Sequence, residues 1–198
     1  MWSNKRHVIV MGQENFLRCG FFRLVEDECK KKDYLAFYSG ANSCFCNNIV
    51  ANDCSQARLG ILCLGCEDFF PHWFCMFLAL LQKTSGNVLI YTDSHKLLDR
   101  QKKSLLCRVC DLEHILDVSM PVSYLSYIIE HYIERQRSHS QNCRISSREI
   151  SVIDGFLKGI DTVCHSSWLG IDKKTLYQHR KNCANKLGIR NLKDLLRV

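Results

Sequence analysis

Short apolar runs alternate with helical periodicity through the first part of the chain, up to about residue 137. The runs have the length of buried strands, and the segments between them repeat apolar residues every three or four positions. This alternation predicts a parallel sheet covered by helices on both faces. The predicted strands span residues 6–11, 34–38, 59–64, 87–92 and 114–118, and the predicted helices span residues 15–26, 73–82, 97–107 and 121–137. The helix over residues 73–82 is apolar on all sides, which predicts a position between two layers.

From residue 145 onward the pattern is helical only. Ser146 and Glu149 have the spacing of a capping box, and Asp161 and Asp172 stand where N-cap residues would begin two further helices. A short connection that begins at Gly170 joins these two helices, and such a pair predicts a helix-turn-helix. The four predicted helices span residues 146–159, 161–169, 171–187 and 191–196.

The helix predicted over residues 171–187 has an apolar stripe and a basic outer side. Leu176, His179 or Cys183, and Leu187 recur at spacings of three and four and form the stripe. Lysine and arginine neutralise phosphates, while glutamine and tyrosine reach base edges, so the outer side suits the major groove of DNA. Taken by itself, the helix also fits a solvated basic surface. The outer residues are Lys173, Lys174, Tyr177, Gln178, Arg180, Lys181 and Asn185.

The positive charge of the chain is concentrated in the same region. The 198 residues carry a formal net charge of +7. Residues 144–198 contain 11 Lys or Arg and 5 Asp or Glu, a net charge of +6, which leaves +1 for residues 1–143. A basic segment beside a nearly neutral one is typical of a protein that binds nucleic acid through one domain.

Residues 145–196 resemble, without a gap, the DNA-binding domain of the LuxR/NarL/FixJ transcription regulators. The motif residues in register are Arg148, Glu149, Gly159, Thr175, His179, Asn182 and the triplet Lys186-Leu187-Gly188. The resemblance implies DNA contacts by Tyr177, Gln178 and Lys181, with Thr175 and the basic neighbours near phosphates. The complete set of predicted DNA-binding residues is Lys173, Lys174, Thr175, Tyr177, Gln178, Arg180, Lys181 and Lys186.

Three positions depart from the pattern of that family. Tyr177 replaces the usual lysine, so the family's preferred DNA site is not carried over. His165 and Ser166 replace an apolar residue and an alanine, which predicts a less well packed helix with His165 half-exposed. The alternative for His165 is a pH sensor.

The first 137 residues resemble the receiver domain of response regulators in architecture alone. Phosphorylation of a receiver needs an acidic pair after the first strand, an aspartate after the third, a hydroxyl after the fourth and a lysine after the fifth. Only the hydroxyl is present, so we expect no aspartyl phosphorylation and a domain that serves association. The residues at these four places are Gly12-Gln13-Glu14, Leu64-Gly65 with Glu67 and Asp68 one turn late, Thr92, and Met120-Pro121.

Thirteen cysteines permit two further interpretations. Cys63 with Cys66, and Cys107 with Cys110, have the spacing of zinc ligands. Redox sensing is a second possibility. The apolar surroundings of Cys63 favour cysteines that act as small buried apolar side chains, and we predict no metal and no cofactor.

Several other classes of protein do not fit the sequence. A glycine-rich phosphate loop and a Gly-x-Ser-x-Gly nucleophile turn are both missing, so we predict no enzyme. The longest apolar run, residues 73–81, is shorter than a membrane span. The first residues lack the pattern of a secretory signal, so the expected location is the cytoplasm.

Together these patterns predict an α/β receiver-like domain over residues 1–137, a linker over residues 138–144 and an all-α LuxR-type helix-turn-helix domain over residues 145–198. The expected function is sequence-specific regulation of transcription, with a resemblance to enterobacterial regulators of fimbriae and other surface structures. The expected partners are double-stranded DNA and a second regulator, in a homodimer or a heterodimer, because one recognition helix gives a small interface. The alternative is a protein-interaction modulator that pairs with another regulator of the family.

Overall fold

Five parallel strands form one sheet in the order β2-β1-β3-β4-β5. The strands belong to a computed structural model that describes residues 6–12, 16–40, 57–65, 70–84, 87–109, 115–134 and 145–198. The predicted parallel sheet is confirmed, with small shifts at the strand ends. The strands are β1 (His7–Gly12), β2 (Leu35–Gly40), β3 (Ala57–Cys63), β4 (Val88–Thr92) and β5 (Ile115–Asp117).

Helices cover both faces of the sheet, as the alternating pattern predicted. Val8 and Val10 of β1 point into one core, whereas Ile9 and Met11 point into the other, because successive side chains of a strand face opposite sides. Helices α1 (Phe16–Lys31) and α5 (Val122–Glu134) close the first core. Helices α2 (Phe70–Lys83), α3 (Ser94–Leu97) and α4 (Arg100–Cys107) lie on the other face.

The single helix predicted over residues 97–107 is wrong, because the structure has two helices there. Helix α3 ends at Leu97 and α4 begins at Arg100. The carboxylate of Asp99 accepts the backbone N–H groups of Gln101 and Lys102, at 2.8 and 2.9 Å. Asp99 therefore caps a new helix, a local effect that apolar periodicity does not reveal.

The last part of the chain contains α6 (Ser147–Leu157), α7 (Thr162–Leu169), α8 (Lys173–Leu187) and a 3-10 helix (Leu192–Leu196). The predicted capping box of Ser146 and Glu149 is confirmed, as are the N-caps at Asp161 and Asp172. Gly170 ends α7 with a φ of +62°, which glycine adopts without strain. The fourth predicted helix is a 3-10 helix, and its N-cap is Asn191.

Helix α2 lies between the sheet and the last helices, as its apolar sequence predicted. It contacts β3 on one side and α6 and the 3-10 helix on the other. One hydrophobic core therefore continues from the sheet through α2 to Ile150, Ile153, Leu192 and Leu195. The predicted domain boundary and the linker over residues 138–144 stay predictions, because residues 135–144 lie outside the described ranges.

Candidate nucleic-acid interface

Helix α8 is fixed at both ends by its own caps. The Asp172 carboxylate accepts the backbone N–H of Thr175 at 2.7 Å and the Thr175 hydroxyl at 2.8 Å. These hydrogen bonds hold the pKa of Asp172 below its usual value. At the other end Gly188 adopts a left-handed φ of +64°. The helix therefore presents its outer side in a defined direction.

The inner side of α8 confirms the predicted apolar stripe. Leu176, Cys183 and Leu187 are fully buried, with Ala184 beside them. Burial raises the pKa of the Cys183 thiol to about 12. This cysteine stays protonated and acts as a small apolar side chain, as the sequence analysis favoured.

Six of the eight predicted DNA-binding residues are exposed on α8. Successive residues of an α-helix turn by about 100°, so four of these six share one arc of about 100°. Gln178 donates a hydrogen bond to the Asn182 side chain at 3.0 Å on the same side of the helix. The exposed six are Lys173, Lys174, Tyr177, Gln178, Lys181 and Lys186, and the arc consists of Lys174, Tyr177, Gln178 and Lys181.

Three of the eight predicted residues, including the exposed Lys186, make contacts within the protein. The Thr175 hydroxyl is bound to Asp172. The Lys186 ammonium lies 2.7 Å from a carboxylate oxygen of Glu149, on the far side of the helix from the exposed arc. Arg180 turns toward α6 and α7 and is half-buried. Their contacts with DNA stay predictions. In the structure each of these side chains has a partner within the protein.

Arg180 connects all three α-helices of this region. Its guanidinium carbon lies 5.3 Å from the centroid of the Phe156 ring and 5.7 Å from that of the Tyr177 ring. Its Nη1 donates to the Thr162 hydroxyl at 3.3 Å. Its Nε is buried and has no hydrogen-bond partner among the described residues.

His165 is fully buried, so the prediction of a half-exposed histidine is wrong. Its ring fits because Gly155 on α6 has no side chain; a Cβ there would lie 2.4 Å from two atoms of the ring. Neither ring nitrogen has a partner at hydrogen-bonding geometry in the described part of the chain. Burial, followed by the charge of Arg180, lowers the pKa of His165 and outweighs the opposing effects of the Ser151 backbone and Asp154.

The carboxyl ends of β1 and β3 leave no space for a side chain at Gly12. A Cβ there would lie 2.4 Å from the Cys63 carbonyl oxygen and 2.9 Å from the guanidinium carbon of Arg18. Arg18 is buried, so a cation of the protein itself lies beside these strand ends. Leu64 and Gly65 follow β3, as predicted, while residues 13, 14, 67 and 68 lie outside the described ranges.

Asp117 at the end of β5 organises the neighbouring loops, a role that the sequence analysis missed. It pairs with Thr92 across the strands. Its carboxylate accepts the N–H and the hydroxyl of Ser94, at 2.8 and 2.6 Å, and those of Ser119, at 2.9 and 2.5 Å. These bonds hold the pKa of Asp117 well below its usual range. The signal in the sequence was a serine two residues after each strand, Ser94 after β4 and Ser119 after β5.

The predicted zinc pairs are each only half within the described residues, because Cys66 and Cys110 lie outside them. Among the described side chains no group of three or more His, Cys, Asp or Glu is arranged to hold a metal ion. Within the same ranges, no helix combines the length and the apolar character needed to cross a membrane.

Comparisons with known proteins give similarity at the level of structure only. No protein-family model and no curated protein sequence matches the chain. Full-length FixJ from B. japonicum is 14% identical, with 98% of this chain and 96% of that chain covered, at a TM-score of 0.46. The Salmonella typhimurium RcsB response regulator is 16% identical, with 98% and 96% covered, at a TM-score of 0.43. The response regulator RcsB in an RcsB–DNA complex is 17% identical, with 98% and 97% covered, at a TM-score of 0.40. Such values do not assign the chain to a family, so its function must be argued from its own residues.

Proposed function

We propose that this protein is a sequence-specific DNA-binding regulator of transcription and that α8 is its recognition helix. The observation that carries the proposal is the exposed arc of Lys174, Tyr177, Gln178 and Lys181 on a helix whose opposite side is buried. One surface therefore combines lysines, which can bind phosphates, with amide and hydroxyl groups, which can bind base edges. Such a surface fits the major groove. The short turn between α7 and α8 supports a helix-turn-helix.

The position of two lysines supports a negatively charged partner. Lys173 and Lys174 occupy the first turn of α8, where the partial positive charge of the helix end disfavours cations. Asp172 offsets part of this cost as the N-cap. Residues that oppose local stability in this way are expected at functional surfaces, and a DNA phosphate would stabilise both the lysines and the helix end.

The second part of the proposal is regulation without aspartyl phosphorylation. Gly12 has no space for an acidic side chain, and a cation of the protein itself, the buried Arg18, lies beside it. No carboxylate follows β3 at Leu64 or Gly65 to accept a phosphoryl group. Regulation of fimbrial genes, and the more specific resemblance to the fimbrial regulator FimW, rest on the sequence pattern alone and stay predictions.

The proposal is tested by selection of binding sites from a pool of random DNA duplexes at about 0.15 M salt, because phosphate contacts depend on salt. Full-length protein is compared with Lys181→Ala. Lys30→Ala, which removes an exposed charge from α1, is the control. We expect one enriched motif for the wild type and for Lys30→Ala, and a lost or altered motif for Lys181→Ala. Wild-type protein that selects no motif would contradict the proposal.

A second candidate function, a modulator that pairs with another regulator, is favoured by one surface. Tyr124 and Tyr127, which lie about 60° apart around α5, are exposed by 48% and 61%. Exposed apolar side chains on one helix are typical of contacts between proteins. One recognition helix makes a small contact area with DNA, so a regulator of this kind is expected to bind as a homodimer or heterodimer. The exposed side chains of α5 would also serve that dimer. In the modulator, Tyr127→Glu would abolish regulation while Lys181→Ala would leave it intact.

A further inference from the structure

Arg180, like Lys186, is a cation of α8 that points toward the other helices, and this direction has a consequence for DNA recognition. The side chain lies roughly 110° around the helix from the middle of the exposed arc. Its charge faces two aromatic rings and the Thr162 hydroxyl, and the residue is half-buried. Arg180 can therefore influence the exposed surface of α8 through Tyr177, the neighbouring side chain that it contacts.

We propose that Arg180 is a positioning residue that holds the Tyr177 ring for contact with one base pair, and that it does not bind a phosphate. This inference rests on the proposed function of α8 as a recognition helix. It assigns Arg180 to specificity, whereas the sequence pattern assigned it directly to DNA.

The contacts of Arg180 argue against a phosphate ligand. To reach DNA, the guanidinium would have to leave the Phe156 and Tyr177 rings and the Thr162 hydroxyl together. Stacking on aromatic rings is favourable for a guanidinium, and more so where the charge is half-buried. Lys174 and Lys181 are already exposed on the arc and can neutralise phosphates without such a loss.

The same contacts make Tyr177 a prepared recognition residue. Its inner side faces Arg180, while 58% of the residue is still exposed for DNA. A side chain that is ordered before binding loses less entropy when it binds, which favours a contact that discriminates between bases. The family that this region resembles usually has a lysine at this position. A lysine would put a second cation next to Arg180. Tyr177 and Arg180 therefore fit each other as a pair.

The discriminating variant is Arg180→Lys, because it keeps the charge and removes the planar group that stacks. We expect it to bind the selected site with an unchanged dependence of log K on log salt. We expect its preference at one base pair to fall by about fivefold or more, the low end of what a mismatched pair costs. Tyr177→Leu should relax the same base pair. The double variant should be no less specific there than Tyr177→Leu alone, because the two residues act as one unit.

Lys174→Met is the control variant, because it removes the charge of an expected phosphate contact. Arg180→Met removes the charge of Arg180 in the same way. Removal of one phosphate contact lowers the salt slope by about 0.9. We expect that decrease for Lys174→Met and not for Arg180→Met. Binding is measured for the selected site and for each of its single-base-pair changes, after circular dichroism has shown that each variant is folded.

Three results would overturn the inference. A salt slope that falls by about one in Arg180→Met, with every base preference kept, would make Arg180 a phosphate ligand. Full specificity in Arg180→Lys, or a loss of affinity that is equal for all base pairs, would reduce Arg180 to a structural role. In each of these cases the wild type still selects a motif, so the proposed function survives. A wild type that selects no motif overturns both proposals.

Discussion

Removal of the Glu149 carboxylate tests how α8 is attached to the rest of the molecule. The Glu149 side chain is only 7% exposed and lies 2.7 Å from the Lys186 ammonium of α8. It also accepts the backbone N–H of Ser146 at 2.8 Å, while the Ser146 hydroxyl accepts the N–H of Glu149 at 3.3 Å. One carboxylate thus caps α6 and anchors α8, and Glu149→Ala removes both interactions.

The expected cost of Glu149→Ala is about 2 kcal/mol of the free energy of unfolding. Loss of the capping-box carboxylate contributes about 1 kcal/mol. Loss of the ion pair contributes a further ~1 kcal/mol at most, because Lys186 is 40% exposed and water screens its charge. Glu149→Gln should cost less, since the amide oxygen can still accept the Ser146 N–H.

Urea denaturation at several pH values measures this cost. Burial works to raise the pKa of Glu149, but the bonds to Lys186 and Ser146 outweigh it and lower the pKa. A carboxylate whose pKa is lowered by folding stabilises the native state above its unfolded pKa, about 4.3, and loses that contribution as the pH falls. The difference between wild type and Glu149→Ala should therefore be largest near pH 7 and shrink below about pH 4.

A double-mutant cycle with Lys186→Met isolates the ion pair and also tests the role of Lys186. We expect a coupling energy of about 0.5–1 kcal/mol between the two side chains. Lys186→Met should leave the salt slope of DNA binding unchanged, because its charge already faces Glu149. Equal stability of wild type and Glu149→Ala at pH 7, or a difference that does not shrink as the pH falls below about 4, would refute the reasoning.

Two further predictions concern tight or highly bonded sites. Gly155→Ala should cost about 1–3 kcal/mol by overpacking, because its Cβ would meet the rigid His165 ring; Gly20→Ala in α1, which has nothing within 4 Å, should be neutral or stabilising in the same thermal melts. Equal losses for the two variants would show that space at Gly155 is not the cause. Asp117→Asn should cost about 2 kcal/mol near neutral pH, because its amide N–H₂ faces hydrogen-bond donors. Folding lowers the pKa of Asp117, so this cost should be complete above the unfolded pKa of about 4 and shrink progressively in urea titrations as the pH falls below it. A pH-independent cost would contradict the assignment.

Local signals in the sequence predicted the elements and their ends well. The caps at Ser146, Asp161 and Asp172 are confirmed because capping depends on a side chain and the backbone within three residues. The stripe of α8 is confirmed because a helix repeats every 3.6 residues. Asp99 shows the limit: its capping role was readable in principle, but we predicted one helix over residues 97–107 although residues 99–104 are all polar.

Contacts between distant residues could not be predicted in the same way. Lys186 and Arg180 were assigned to DNA because exposed cations on a basic helix are expected to bind phosphates. Their partners, Glu149 and Phe156, are on another helix, and spacing along the chain does not indicate which long side chains meet. His165 was expected to be half-exposed because it replaces an apolar residue of the family pattern, yet the missing side chain of Gly155 provides space for it in the core.

The shared core bears on how such a protein can be controlled. Separation of the last helices from α2 would expose Ile150, Leu192 and Leu195, which are at most 7% exposed. Burial of each side chain of this size contributes about 1.5–3 kcal/mol, so separation costs several kcal/mol. A ligand shifts an equilibrium only by its difference in affinity for the two states, and allosteric coupling is typically about 1–3 kcal/mol. Beside the Gly12 strand end the protein has the buried Arg18 and no acceptor for a phosphoryl group at Leu64 or Gly65. The exposed arc of α8 is already open with the core intact, which favours control by the amount of protein or by a partner over control by release of the last helices.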